Sequence, residues 1–521
     1  MSNTRTIFRN TGWYGLENTI SAISTLVSSI MIARYLGPEK MGYMIYVMWI
    51  AQLTSSLGGL GIPPTTMKYM GEFLGKGDRG TARYIYFRTL LLQMGLAAFA
   101  TGGILIWVLT RAQTNYRLAA MLVILSIWPA MVNSISAMAN VASENLFANL
   151  PGSVVATCFY FVSILATVVF HWGVVGVGAA FLGMRLVDFL VRLIPTMRRA
   201  LSWQGGHVRP EGLQRRMILF AVQSVATMIV GLIVWSRSEV FLLRHLCADI
   251  RQVAFYSVAF SMADRLLVTS QVFGSAISST IYAQHGRDKS KNAAVSANSF
   301  RYLALSAIPV HFVSAALASQ ALLLLYGDKY RDGAMVVTLA PVLCMPKAFI
   351  APVQSLLQSV ERQRLVIFAT VIAGIVDVGV AAYFIPAHGA VGACIGNGAA
   401  QVTAIAIMWG MAIRLFNVKL PWMLVAKTAF ISTVAALAAR FIGMQFSPLL
   451  GIPLGGIAAL IILFGLFYLL RVLEPQDYER FKNLSGVIPK PIAGPILSLL
   501  SLLTRPESAR ATKEESLAVE P

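Results

Sequence analysis

Apolar runs of about twenty residues recur along this chain from Trp13 to Leu470, and this pattern limits the possible folds more than any other feature. Each run is long enough to cross a hydrocarbon core of ~30 Å at ~1.5 Å per helical residue. Within lipid, only helices and closed barrels satisfy every backbone N–H and C=O. The runs are continuous rather than alternating, which selects helices. The chain is expected to be an all-α polytopic membrane protein.

Composition agrees. Hydrophobic residues make up 57% of the chain and charged residues 12%, with a mean hydropathy of +0.69. The net charge of +20 does not call for nucleic acid, because membrane proteins collect Lys and Arg in cytoplasmic loops and no compact basic domain is present. The start, MSNTRTIFRNTGW, leads into a full-length span without a small-residue cleavage site, so no removable signal peptide is expected. Cys158, Cys247, Cys344 and Cys394 lie in or beside apolar runs, without metal-like spacing, and read as packing residues.

Fourteen spans are expected, at roughly 13–34, 43–65, 86–110, 118–141, 151–170, 174–195, 217–243, 254–283, 302–326, 335–358, 365–386, 390–413, 423–443 and 450–471. One set of loops carries Lys68, Lys76, Arg79 and Arg83, then Arg198, Arg199, Arg209, Arg215 and Arg216, then Arg287, Lys289 and Lys291, then Arg362 and Arg364. The opposite set is short and carries fewer cations. This asymmetry puts both termini in the cytoplasm. After the last span, Ile492–Leu503 is too short to cross and reads as interfacial, and the polar chain beyond Thr504 reads as disordered.

The chain also repeats itself. YMGEFLGKGDRGTARYIYFR (Tyr69–Arg88) and YAQHGRDKSKNAAVSANSFR (Tyr282–Arg301) have equal length and the same span-to-loop position. GVVGVG at Gly173 is echoed by GAVGAC at Gly389, Glu144 by Glu361, and ARYL at Ala33 by LRHL at Leu243. The offsets, 210 to 217 residues, are nearly constant and the order is kept. Two six-span halves follow, 1–205 and 206–416, with two extra spans in 417–473 and a cytoplasmic tail in 474–521. Six is even, so the halves share one orientation, an arrangement found in transporters that rock one half against the other.

ARYLGPEKMG (Ala33–Gly42) at the end of the first span, AFYSVA after the seventh, and two halves plus two spans resemble the polysaccharide transporters, the oligosaccharide flippases of the multidrug/oligosaccharidyl-lipid/polysaccharide (MOP) exporter superfamily. The resemblance implies a V-shaped pair of six-helix bundles. It also implies movement of an undecaprenyl-pyrophosphate-linked oligosaccharide from the cytoplasmic to the outer leaflet of the bacterial inner membrane by alternating access. No cofactor is implied beyond H⁺ or Na⁺ coupling. The expected partners are the lipid-linked oligosaccharide, membrane lipids and a polysaccharide polymerase, with the chain itself a monomer.

Carrying a pyrophosphate calls for Arg or Lys facing a water-filled cleft. The cations inside the spans are Arg185, Arg237, Arg265 and Lys347, and the acids are Glu17, Asp188, Glu239, Asp264 and Asp377. Arg185 and Asp188, three apart on one face, are expected to pair. Arg237 and Glu239 are two apart and need other partners, which leaves Arg237 for the cavity. Lys347 follows Pro346 in MPKAF, where an interrupted helix can line a cavity; the alternative is a pair with an acid on a neighbouring helix. Asp264 and Arg265 read as a lock between helices, and Glu17 and Asp377 as ion-coupling carboxylates. Arg34, Arg88, Arg244 and Arg301 sit near the mouths as headgroup-level anchors. Tyr14, Trp49, Tyr160, Trp235, Phe260 and Tyr383 are available to stack on sugars. Four cations against five acids leave a drug/cation antiporter or a lipid II flippase open. Short outer loops and the lack of a Walker A motif weigh against a membrane polymerase, ligase or ATPase.

Overall fold

The computed structural model describes residues 2–111, 114–205, 211–235, 238–268, 270, 281, 292–360, 362–474, 477–478, 497–498, 501 and 504; at 2–23, 111, 146, 226–227 and 230–235 it describes the backbone only. The loop at 282–291 and nearly all of Ile492–Leu503 and the tail beyond lie outside the described residues.

Every extended element among the described residues is a helix. In order they are α1 (Ser2–Gly58), α2 (Ile62–Gly75), α3 (Arg79–Arg111), α4 (Arg117–Leu125), α5 (Ile127–Ala142), α6 (Leu150–Val169), α7 (Gly173–Leu201), α8 (Leu213–Trp235), α9 (Glu239–Leu246) and α10 (Arg251–Leu266). They continue as α11 (Asn292–Tyr326), α12 (Ala334–Cys344), α13 (Ile350–Ser359), α14 (Gln363–His388), α15 (Ala390–Phe416), α16 (Trp422–Met444) and α17 (Pro448–Leu469). Ten stretches of these are long and apolar enough to cross a membrane, or eleven if the bent pair 24–58 and 62–75 is one span. The expected spans at 217–243 and 254–283 both run into residues outside the description.

ARYLGPEKMG is tighter than a loop. The helix continues on both sides of Gly37, which alone leaves helical geometry, at φ 76° and ψ 172°. Pro38 then opens the second stretch, where its missing N–H has no helical partner to lose.

The two glycine motifs build the same corner twice. Gly173 (φ 62°) and Gly389 (φ 52°) each sit in the left-handed region at the start of a helix. A Cβ on Gly176 would lie 2.7 Å from Trp172 Cβ, and one on Gly392 would lie 2.7 Å from Ile385 N. Each new helix therefore starts tight against the one before it. A side chain caps each start: Tyr35 Oη accepts from Gly173 N at 2.9 Å, and Gln252 Oε1 accepts from Ala390 N at 3.0 Å.

The chain divides into two compact units. Unit 1 comprises 1–257, 326–330 and 381–393; unit 2 comprises 258–325, 331–380 and 394–521. In unit 1, α7 packs on α6, α4 and α5, and α1 packs on α6. In unit 2, α16 and α17 pack through small residues at four-residue spacing, Ala435, Ala439 and Gly443 against Gly451, Gly455 and Ala459. Leu317 of α11 joins their core with Ile431, Leu463 and Phe467. Lipid gives no hydrophobic drive between helices, so close backbone approach through small residues supplies the cohesion.

Candidate functional site

In unit 1 the charge chemistry centres on α7. Arg192 Nη2 donates to Asp188 Oδ1 at 2.8 Å and to Ser153 Oγ of α6 at 2.9 Å. The other carboxylate oxygen accepts from Asn133 Nδ2 of α5 at 2.7 Å. The network continues through Asn140 Nδ2, which donates to Asn149 Oδ1 at 2.9 Å, and Thr196 Oγ1, which donates to Asn140 Oδ1 at 3.2 Å. Arg192 and Asp188 thus tie three helices together, with side-chain exposures of only 10% and 18%.

This corrects the pairing expected from the sequence. Asp188 takes Arg192, not Arg185. An acid four residues N-terminal to a base is the favoured helical order, whereas Arg185 precedes its acid. Arg185 instead donates Nη2 to the neutral Gln52 Oε1 of α1 at 3.2 Å, with its guanidinium 5.3 Å from the Phe181 ring. It is half-buried and makes no ion pair with a described residue. Sequence reasoning missed Arg192 and Gln52; the acid-first spacing Asp188–Arg192 was the signal available for the first.

In unit 2 the helix from 334 to 359 is interrupted at Met345–Phe349 by a 3-10 turn that holds Pro346 and Lys347. Trp409 Nε1 donates to the Phe349 carbonyl at 3.2 Å, so the break does not leave that oxygen bare. Lys347 Nζ reaches Asp264 Oδ1 of α10 at 3.4 Å and lies 6.0 Å from the Phe260 ring. Of the two readings open for Lys347, the structure forms the ion pair. Arg265, next along α10, is half-buried and makes no ion pair with a described residue. Asp377 of α14 is 1% exposed, and Glu239 at the start of α9 is fully buried.

The mouth arginines behave differently from one another. Arg34 is exposed, and Arg88 is exposed with its guanidinium 6.0 Å from the Tyr84 ring. Arg301 is clamped by Glu474 Oε1 at 2.6 Å and Asp477 Oδ2 at 2.7 Å. Arg244 is half-buried beside Tyr46, with 6.0 Å between guanidinium and ring centre. Arg237 and the side chains of Glu17, Tyr14 and Trp235 lie outside the description. Of the other aromatics, Tyr160 is buried and Tyr383 is 78% exposed, while Trp49 meets Phe241 at 6.3 Å between ring centres. All four cysteines are free thiols. Among the described residues, no group of three or more His, Cys, Asp or Glu is placed to hold a metal.

The charge tally therefore changes once partners are known. Asp188 and Asp264 are paired with Arg192 and Lys347, whereas Arg185, within electrostatic reach of Asp188, makes no ion pair of its own with a described residue.

Against known proteins, the profile of the polysaccharide biosynthesis protein family matches residues 7–282. No curated protein gives a significant sequence match. Solved structures share the fold. The lipid II flippase MurJ in an inward closed conformation is 12% identical, with a TM-score of 0.68 over 86% of this chain and 97% of that one. An inward-facing multidrug resistance MATE family transporter of the MOP superfamily is 15% identical, with a TM-score of 0.63 over 76% and 95%. An outward-facing MATE transporter is also 15% identical, with a TM-score of 0.54 over 81% and 96%.

Proposed function

Because the chain belongs to the polysaccharide biosynthesis protein family, we propose that it is a flippase for an undecaprenyl-pyrophosphate-linked oligosaccharide. In this reading it works by alternating access in the cytoplasmic membrane of a bacterium, as a monomer that hands its cargo to a polysaccharide polymerase. The observation that carries the reading is Arg185. A cation at the centre of a span costs roughly 2.5–3.5 kcal/mol on insertion scales. This one makes its hydrogen bond to a neutral amide and lies beside a ring, while the nearby Asp188 carboxylate is already ion-paired with Arg192. Guanidinium suits the oxygens of a pyrophosphate, which it can meet with two parallel hydrogen bonds, and the polyprenyl tail stays in lipid throughout. Asp377, buried in α14, is the coupling carboxylate whose side chain is described; Glu17 is the other candidate.

The lipid II reading uses the same chemistry and differs in the sugar. A drug/cation antiporter would favour an unmatched acid at the position where this chain keeps an arginine.

The test is a strain lacking the protein. Surface polysaccharide should fall and lipid-linked repeat units should accumulate inside. In complementation, Arg185→Gln should lower export about tenfold or more, the loss expected when a charge-assisted hydrogen bond goes, and Arg185→Lys should retain part of it. Normal export from the deletion strain would refute the proposal.

A further inference from the structure

A cavity of about 300 Å³ opens in unit 1 at the C-terminal end of α9. It is lined by Tyr43 and Tyr46 of α1, Trp107 of α3, and Arg244 and His245 of α9. Val47, Ile50, Val108 and Ile124 add apolar side chains to the lining. Tyr43 is held by stacking on Tyr116, 4.5 Å between ring centres. His245 is fixed as well, its Nδ1–H donating to the Phe241 carbonyl at 2.8 Å. Trp107 is 43% exposed, as an interfacial aromatic would be.

The guanidinium of Arg244 is half-buried, lines this cavity and makes no hydrogen bond or ion pair with a described residue. The same holds for the hydroxyls of Tyr43 and Tyr46, the latter residue being only 7% exposed. Arg244 also lies in the last turn of α9, where the helix dipole steadies a cation without satisfying its N–H groups. Three donors thus line one small space together with apolar side chains. None of the three is sealed from the open cavity, so an acceptor that enters it can meet all of them.

We propose that this cavity binds the phosphate group of a membrane lipid, with Arg244 and the two tyrosine hydroxyls donating to the phosphate oxygens. The apolar side chains of the lining take the first carbons of the hydrocarbon chain. The site belongs to the face that the basic-residue asymmetry reads as outer. There, two lipids offer the same chemistry: the polyprenyl phosphate end of the transported carrier, or a bulk anionic phospholipid. Assigning the carrier as occupant rests on the flippase reading above; the phosphate site itself does not.

The test uses the full-length protein in detergent micelles, titrated with undecaprenyl phosphate, dioleoylphosphatidylglycerol or inorganic phosphate, with binding read by native mass spectrometry. The wild type should bind at least one of the lipids. Arg244→Gln should weaken that binding about tenfold or more, and Arg244→Lys should recover part of it. Tyr43→Phe with Tyr46→Phe keeps both rings and should still weaken binding. Ile50→Trp fills the cavity with the arginine intact and should block it, which separates loss of the site from a failure of Arg244→Gln to fold. Preference for undecaprenyl phosphate assigns the site to the carrier; preference for phosphatidylglycerol assigns it to bulk lipid. Equal binding by wild type and Arg244→Gln, or binding of inorganic phosphate alone, overturns the site. That failure would leave the export phenotype untouched, just as normal export from a deletion strain would leave lipid binding by Arg244 standing.

Discussion

The Asp188–Arg192 pair and Arg185 share one helix, and the packing role of the pair is separable by mutation from the transport role proposed for Arg185. Arg192→Ala strands a mostly buried carboxylate between three helices and should cost about 3–5 kcal/mol, read as a lower melting temperature in detergent. Adding Asp188→Asn should restore much of that loss, because the neutral amide can still meet Asn133. Arg185→Gln removes one hydrogen bond to Gln52 and should change stability by no more than about 1 kcal/mol while lowering export. A fall in stability from Arg185→Gln as large as that from Arg192→Ala would make Arg185 structural. Ionisable residues inside spans could be picked out of the sequence, since hydropathy exposes them. A partner on the same helix follows from acid-first spacing, which favours Arg192 for Asp188, but spacing along one helix says nothing about Gln52 or Asn133 on others.

At the scale of elements, the turn in ARYLGPEKMG depends on one residue. The φ and ψ of Gly37 fall in a region that L side chains essentially do not enter. A Cβ there would meet nothing closer than Lys329 Cδ at 3.7 Å, so Gly37→Ala isolates backbone strain from crowding. The expected cost is about 1–3 kcal/mol, again seen as a lower melting temperature; an unchanged one would mean that the turn adapts. The α16–α17 contact fails for the other reason. A Cβ on Gly455 would lie 2.6 Å from the Ala439 carbonyl oxygen, so Gly455→Leu should overpack the pair and cost about 1–3 kcal/mol. Gly37-Pro38 marked the turn in the sequence, and long apolar runs marked the two last spans, but the small-residue seam between them was not read from it. The interrupted helix around Lys347 was legible through Pro346. The capture of the Phe349 carbonyl by Trp409, sixty residues later in the chain, was not, because nothing local encodes so distant a donor.

For the whole molecule, contacts between distant residues constrain how often the chain crosses the bilayer, since groups at opposite faces cannot touch. Between Tyr35 and Gly173, which share a hydrogen bond, the expected topology has four crossings; between Gln252 and Ala390, likewise joined, it again has four. Between Arg301 and Asp477, ion-paired at 2.7 Å, six helices qualify as spans by length and hydropathy if the one that carries Arg301 is included. Every count is even, as contact on one face requires. The fourteen-span scheme therefore makes a labelling prediction for single cysteines placed in a chain from which Cys158, Cys247, Cys344 and Cys394 have been removed. Lys329→Cys and Gln445→Cys are separated by four expected crossings and should both react with an impermeant maleimide in intact cells. Ser202→Cys and Tyr478→Cys, eight crossings apart, should react only after permeabilisation, because three crossings lie between 202 and 329. The reverse pattern would keep the crossing count and invert the orientation drawn from the arginine-rich loops. Reaction of Lys329→Cys without Gln445→Cys would break the count itself, and with it the equal orientation of the two six-span halves on which the transport reading depends.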